Sequence, residues 1–459
     1  MNASTGIRPK ERDAIILSLG AGVVPRIGQQ HIQVGRADEV KALLKDIERI
    51  DDGGAGIRFV IGEYGSGKTF FLLLVRSIAL EKKLVTVHAD LTPDRRLHAT
   101  GGQARTLYAE LMRNLSTRAK ADGGALPSVV ERFVTTALNE ATQRGVPPEA
   151  AIHERLAQLS EMVGGYDFAN VIAAYWRGHD TGNEQLKSDA VRWLRAEFTT
   201  KTEARQALGV RTIIDDETFY DHLKLMARFV RLAGYGGMLV CLDELVNLYK
   251  LANTKARTAN YERILGILND SLQGASVGLG VLLGGTPDSL LDTRRGMYSY
   301  EALQSRLAEN TFAVKGLVDL NGPVLRLANL SPEDLFVLLG NIRNVFAAGD
   351  PAKYLMPDEG LQAFMAHCSQ RIGEAYFRTP RTTIKQFVNL LSVLEQNPQA
   401  KWQELIGTVD VAPEANPDLT PLEDADRAAE TVESSPPLTP SAAPASANPE
   451  DELATFKLE

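Results

Sequence analysis

The stretch Gly62-Glu63-Tyr64-Gly65-Ser66-Gly67-Lys68-Thr69 restricts what this chain can fold into more than any other. It follows the β-branched, apolar run Ile57-Arg58-Phe59-Val60-Ile61 and precedes the helix-compatible run Phe70-Phe71-Leu72-Leu73-Leu74-Val75. A glycine-rich surface turn with a solvated lysine would need neither neighbour. With both present, the order is strand, loop, helix, which is the order a phosphate cradle requires. Gly62, Gly65 and Gly67 let the backbone curl so that successive N–H groups, Ser66 included, point at the positive end of the following helix. Lys68 then supplies a point charge to the β- and γ-phosphates of ATP, and the Thr69 hydroxyl is placed to ligate Mg²⁺. The fold class this predicts is α/β, a P-loop parallel sheet.

A second stretch carries chemistry. Met238-Leu239-Val240-Cys241-Leu242-Asp243-Glu244-Leu245 reads as a buried strand delivering two carboxylates to its C-terminal end, where ligands bind in open parallel sheets. Asp243 is the candidate metal holder and Glu244 the candidate base for the attacking water. An acidic pair can also merely cap the next helix, but an upstream phosphate loop makes the catalytic reading the better one, and the adjacent Glu favours a hydrolase over a kinase. The strand around residues 277–285 ends in Thr286-Pro287-Asp288, so Thr286, with Asp288 second, is a candidate sensor of the γ-phosphate. Arg306, on a short helix beyond, is a candidate for touching a neighbouring subunit's nucleotide. Arg381, at the start of a later helix, is a candidate for reaching the γ-phosphate in cis. Upstream, Gly35 and Arg36 of Gln33-Val34-Gly35-Arg36, with Asp38 or Glu39 after them, are candidate contacts on the base side. His88 reads as a core or strand-end histidine. Thr92, Asp94 and Arg95, just past the strand Leu84–Asp90, are possible ligand contacts.

The rest of the chain divides by pattern. Residues 1–102 hold an N-terminal segment and the first part of the ATPase core. Residues 103–232 lose strand character and form amphipathic helical patterns, expected over Ala104–Arg118, Val129–Thr142, Pro148–Met162, Phe168–Arg177, Leu186–Phe198 and Asp216–Leu232: a long helical insertion. Residues 233–329 complete the core and 330–409 form a helical lid, whose first helix has Ser331 as N-cap and Pro332 at its first position. Residues 410–459 are expected to be a disordered acidic tail, with eight of the 21 prolines and twelve Asp/Glu against Arg427 and Lys457. The tail thus carries −10 of the net −8, leaving the first 409 residues at +2, so charge neither advertises nor excludes contact with DNA. Arg192, Arg195, Lys201 and Arg205 with Trp193 and Phe198 form a basic-aromatic cluster that is either a DNA contact or a solvated face. Two cysteines, Cys241 and Cys368, fit a reducing compartment. No apolar run reaches the roughly 18–20 residues that span a bilayer, so a cytoplasmic protein without a membrane partner is expected.

In this order the pieces resemble an AAA+-related (ASCE-type) ATPase of the initiator and helicase-loader kind. More narrowly, Ala14-Ile15 through Val23-Val24-Pro25, the Gln33–Arg36 box, the Gly-Glu-Tyr-Gly loop, Cys241-Leu242-Asp243-Glu244-Leu245 and Phe377-Arg378-Thr379-Pro380-Arg381 resemble the ATP-binding proteins of bacteriophage-exclusion (BREX-type) defence islands, the BrxD-like group, over about residues 10–400. The resemblance implies ATPase-driven action on double-stranded DNA, a helicase or other defence-island partner, and homo-oligomers. An ATP-dependent assembly switch that binds proteins through its helical insertion, without acting on DNA, is the alternative.

Overall fold

The apolar run ahead of the glycine loop becomes a central strand, and the chain on either side is organised by it. A computed structural model describes residues 6–312, 319–372 and 380–407, all within the first of the two units into which the chain divides, Met1–Leu422. Helices α1 (Pro9–Gly20) and α2 (Ala37–Asp51) lead to β1 (Gly56–Gly62), α3 (Lys68–Glu81) and β2 (Val85–Asp90). A series of helices follows: α4 (Gln103–Arg113), α5 (Leu126–Arg144), α6 (Pro148–Ser160), α7 (Gly165–Thr181), α8 (Glu184–Leu194), α9 (Lys201–Leu208) and α10 (Phe219–Leu232). Then come β3 (Met238–Asp243), α11 (Val246–Tyr249), α12 (Thr254–Leu272), β4 (Leu279–Gly285), α13 (Pro287–Leu291), α14 (Glu301–Leu307) and β5 (Val324–Leu327). The last elements are α15 (Pro332–Phe346), α16 (Asp358–Ile372), α17 (Pro380–Gln396) and α18 (Trp402–Ile406). The expected tail, 410–459, and Phe377-Arg378-Thr379 lie outside the described residues.

The strands pair in the order β2-β3-β4-β1-β5, all parallel. Both faces are covered, which is why the central strands β3 and β4 read as unbroken apolar runs rather than alternating ones. On one face Ile57, Phe59, Val87, Val240 and Val281 pack into a core continuous with helices α4–α10. On the other, Val60, Leu239, Cys241 and Leu282 meet α2 and α3. A third core is separate from the sheet: Leu339, Phe364 and Phe387 of α15, α16 and α17 enclose Ile15 and Leu19 of α1. The N-terminal helix thus packs with the C-terminal ones.

Several local expectations are met and several corrected. Ser331 caps α15 and accepts the Asp334 N–H at 3.1 Å, with Pro332 first in the helix. The helix expected over Ala104–Arg118 stops at Arg113, because Ser116 bridges antiparallel to Thr86 on the edge strand β2. Helix α9 was not expected, although Thr200, which accepts the Glu203 N–H at 3.2 Å, begins a T-x-x-E start signal. The basic-aromatic cluster is not a base-stacking surface. Trp193 and Phe198 are buried, the Trp193 indole donates to the Thr212 carbonyl at 2.9 Å, and Arg192 pairs with Asp189 and Glu203. Among the described residues no helix is long and apolar enough to cross a membrane.

Candidate phosphate-binding site

β1 ends at Gly62 and α3 begins at Lys68, so the loop between them must reverse tightly. Gly65 and Gly67 take φ of 80° and 86°, left-handed values that cost a residue with a Cβ about 1–2 kcal/mol. The turn places the N-terminus of α3, with its unpaired N–H groups and positive dipole end, at the mouth of the loop. Lys68 bends back over it and donates from Nζ to the carbonyls of Gly62 at 3.0 Å and Glu63 at 2.9 Å. Its ammonium is therefore held beside those N–H groups rather than trailing into solvent.

The carboxylate pair arrives from the adjacent part of the sheet. Thr69, one residue into α3, donates its hydroxyl to Asp243 Oδ2 at 2.8 Å, and Asp243 Oδ1 accepts the Glu244 N–H at 2.9 Å. Both Asp243 oxygens are thus oriented, and the residue is buried. Glu244 leaves β3 with φ of 64°. That unusual conformation turns its side chain to the exposed side of the strand end while the Leu245 N–H rejoins the sheet on the Gly284 carbonyl at 2.9 Å. Close approach explains Gly284 itself: a Cβ there would lie 2.4 Å from Asp243 Oδ1 and 2.9 Å from Leu72 Cδ1.

These groups open into one cavity of about 820 Å³, within the range of small-molecule and cofactor sites. Lys68, Thr69, Asp243 and Glu244 line one end, and Val24, Val34, Phe70, Leu338, Ile342 and Ile384 give another part an apolar wall. Gly62 and Gly65–Gly67 shape the loop, although Gly62 is not itself part of the lining. Thr286 is in the wall, buried, with its hydroxyl accepting the Ser289 N–H at the start of α13. Arg36 lines the cavity, yet its guanidinium is engaged by the carbonyls of Ser66 and Ala328 and by Glu39 at 3.5 Å. It braces the loop against the end of β5. Gly35 stands outside the lining, beside Asp334. Arg381 lines the cavity from α17 and its Nε donates to the Gly22 carbonyl.

Other candidates are not brought in. Arg306, exposed on α14, donates to Asn269 Oδ1 and the Ala302 carbonyl, both at 2.9 Å, and is not part of this cavity. Thr92 and Arg95 bond each other's backbone in a tight turn, with Arg95 near Glu110 at 3.6 Å. Neither they, nor Asp94, nor Asp288 line the cavity. Conversely, Asp90 does line it, at the end of β2 and in register with Asp243. Burial, and then the Asp243 charge, raise the Asp90 carboxyl above its ordinary range. The sequence held a signal for it, since Asp90 is the last residue of a legible strand at the ligand-bearing edge.

The arrangement offers N–H groups and an ammonium to an anion, and a hydroxyl–carboxylate pair of hard oxygens to a small cation. No curated protein matches the chain in a sequence comparison. The family described as BREX system ATP-binding protein BrxC/D matches residues 7–410, nearly all of the described region. A phosphate loop facing an acidic strand end is what an ATP-binding family requires, and the chain belongs to the BREX system ATP-binding protein BrxC/D family.

Proposed function

We propose that this chain is an Mg²⁺-dependent ATP hydrolase that oligomerises and remodels or loads a DNA-acting partner in antiphage defence. The observation that carries hydrolysis is the Thr69–Asp243 hydrogen bond at 2.8 Å with Glu244 next in the chain. The Thr69 hydroxyl and Asp243 carboxylate suit Mg²⁺, which takes few protein oxygens and completes its shell with water and substrate phosphates. Bound there, it would neutralise charge on the β- and γ-phosphates. Lys68 and the loop N–H groups hold those phosphates, Glu244 orients and deprotonates the attacking water, and Thr286 and Arg381, both in the cavity lining, sense the γ-phosphate. Arg306, on the surface away from its own chain's cavity, acts in trans on a neighbour's nucleotide. The DNA-directed part is supported by the order of motifs, which resembles that of initiator and helicase-loader ATPases.

The test is ATP turnover by the wild type and Glu244→Gln, with and without double-stranded DNA, while mass in solution is followed. Loss of a general base predicts a fall in kcat of about 10²–10⁴, with ATP still bound, and an ATP-trapped oligomer on DNA. Turnover unaffected by the substitution would remove Glu244 from the mechanism. DNA that changes neither rate nor mass would remove the loader reading.

A further inference from the structure

The cavity does not end at the phosphate loop. It is also lined by Arg76 of α3, by His88 of β2 and by Arg26 of the segment after α1. Arg76 is eight residues beyond Lys68 on the same helix, about 12 Å along its axis. Its Nε donates to Thr86 Oγ1 at 3.3 Å, and its Nη2 to Ser116 Oγ at 3.0 Å and to the Ala121 carbonyl. Thr86 and His88 are two apart on β2 and share a face, about 6.6 Å apart along the strand. The guanidinium is therefore near enough for its charge to act on the imidazole.

Each of these three groups has unused hydrogen-bonding capacity. Arg76 is 91% buried (relative exposure 9%), yet its Nη1 has no partner among the described residues. The nearby Asp122 forms no ion pair with it. Arg26 is exposed at the rim and makes no hydrogen bond or ion pair among the described residues. His88 Nδ1 is buried without a partner. Burial first, and then the Arg76 and Arg26 charges, push the imidazole down to about 4, and burial, with the Arg26 charge behind it, lowers Arg76. Placing two arginines together beside a neutral histidine, with no carboxylate paired to either, is unfavourable unless an anion completes the set.

We propose that Arg26, Arg76 and His88 form a second anion site in this cavity, distinct from the loop, that takes a phosphate group. Phosphate is favoured over a carboxylate because the Arg26 fork and the remaining Arg76 Nη1 donor together match a tetrahedral dianion with several acceptor oxygens. The same cavity also holds the loop, so a phosphate freed at Lys68 reaches Arg76 without leaving it. Asp90, two residues further along β2, is the carboxylate on that path; it stands at the loop end, in register with Asp243.

The test titrates inorganic phosphate into the full chain carrying Lys68→Ala, which disables the loop, and into the same chain with Arg26→Gln added. Arg26 is exposed and makes no hydrogen bond or ion pair among the described residues, so its replacement should leave the fold intact. The site predicts saturable binding of one phosphate per chain to Lys68→Ala, weakened about tenfold or more by Arg26→Gln, the loss of one charge-assisted hydrogen bond. It also predicts that phosphate raises the His88 pKa, read by NMR, which a purely structural histidine would not show. Arg76→Lys, which keeps the charge but not the fork, should weaken binding as well. Binding that vanishes with Lys68→Ala, or is indifferent to Arg26→Gln, overturns the proposal. An ADP competition identifies the source: displacement of phosphate means that a nucleotide's phosphate occupies the site, and no displacement means free phosphate. The wild type's ATP affinity, measured alongside, reports separately on the loop.

Discussion

Two helical regions flank the sheet, and they are attached to it in different ways. Helices α4–α10 have no core of their own. Phe133, Phe168 and Phe229, with ring centroids 5.1 and 5.4 Å apart across the Phe133–Phe229 and Phe168–Phe229 pairs, belong to the same apolar cluster as Phe59 and Val240 of the sheet. Helices α15–α17 with α1 have a separate core around Phe364 and Phe387, centroids 5.3 Å apart. That core meets the sheet and its helices through half-buried Phe70 in the first turn of α3, and through the cavity walls. The first region therefore shares the stability of the sheet, while the second can open by itself and is the one whose position a bound nucleotide can influence.

The largest effect should come from Phe229→Ala. Removing a fully buried ring costs roughly 3–5 kcal/mol, and because the core is continuous the whole described unit should bear it. Thermal unfolding should shift as one transition, with protection lost from β3 and α10 together. Phe387→Ala removes as large a ring and should cost the C-terminal bundle a similar roughly 3–5 kcal/mol, but hydrogen exchange should rise in α1, α15 and α17 while β1 and β3 stay protected. A β-sheet that loosens equally in both variants would break the distinction.

How the regions attach was only partly legible. Fully covered parallel strands are continuous apolar runs bounded by glycine or charge, so β1, β3 and β4 could be placed from the chain alone, and the loop and the Asp243–Glu244 pair are contiguous patterns. The site of α1 was not legible. Ile15 and Leu19 mark one buried face, yet Leu17 between them is 73% exposed, and the helices that cover that face, α15 and α17, lie more than 300 residues away. Arg76, His88 and Asp90 meet through the packing of α3 on β2, and Arg26 joins them from the segment after α1, so no local spacing links the four. Trp193 and Phe198 misled for the opposite reason: arginines at helical spacing look like a surface, but Arg192 closes over the Phe198 ring, 4.5 Å from its centroid, and seals a core.

Acid should sharpen the same comparison by a smaller amount. Burial first, then the neighbouring arginines, hold His88 down to about 4, and burial also lowers His222, packed edge-on against Trp193 at 5.5 Å. Both histidines belong to the sheet and its attached helices. An unfolded histidine binds its proton near pH 6.5, whereas these folded ones do not. Their contribution is therefore complete above about pH 6.5 and is lost as pH falls below it, for His88 down to about 4, at no more than about 1.4 kcal/mol per pH unit for each group. Denaturant midpoints measured from pH 7 to pH 4.5 should fall, and His222→Gln should flatten the slope.

The smallest effect concerns the join between α1 and the bundle. Arg12 donates from Nε to the Phe346 carbonyl at 2.9 Å, pairs with Glu395 at 3.1 Å and lies over the Phe346 ring, 5.2 Å from its centroid. The ion pair is half in water and contributes little; the ring contact and the carbonyl bond bring the total to about 1 kcal/mol. Arg12→Ala should therefore leave global unfolding almost unchanged but increase exchange in α1. Because Val24 and Arg26 follow α1 directly and line the cavity, ATP affinity should fall by about threefold, the part of that energy transmitted to the wall. Arg12→Lys should restore little, since an ammonium lacks the planar fork that reaches carbonyl and carboxylate together. Faster exchange in α1 with unchanged ATP affinity would mean that the wall holds its shape without the helix, and that the C-terminal bundle communicates with the nucleotide through Phe70 and α17 instead.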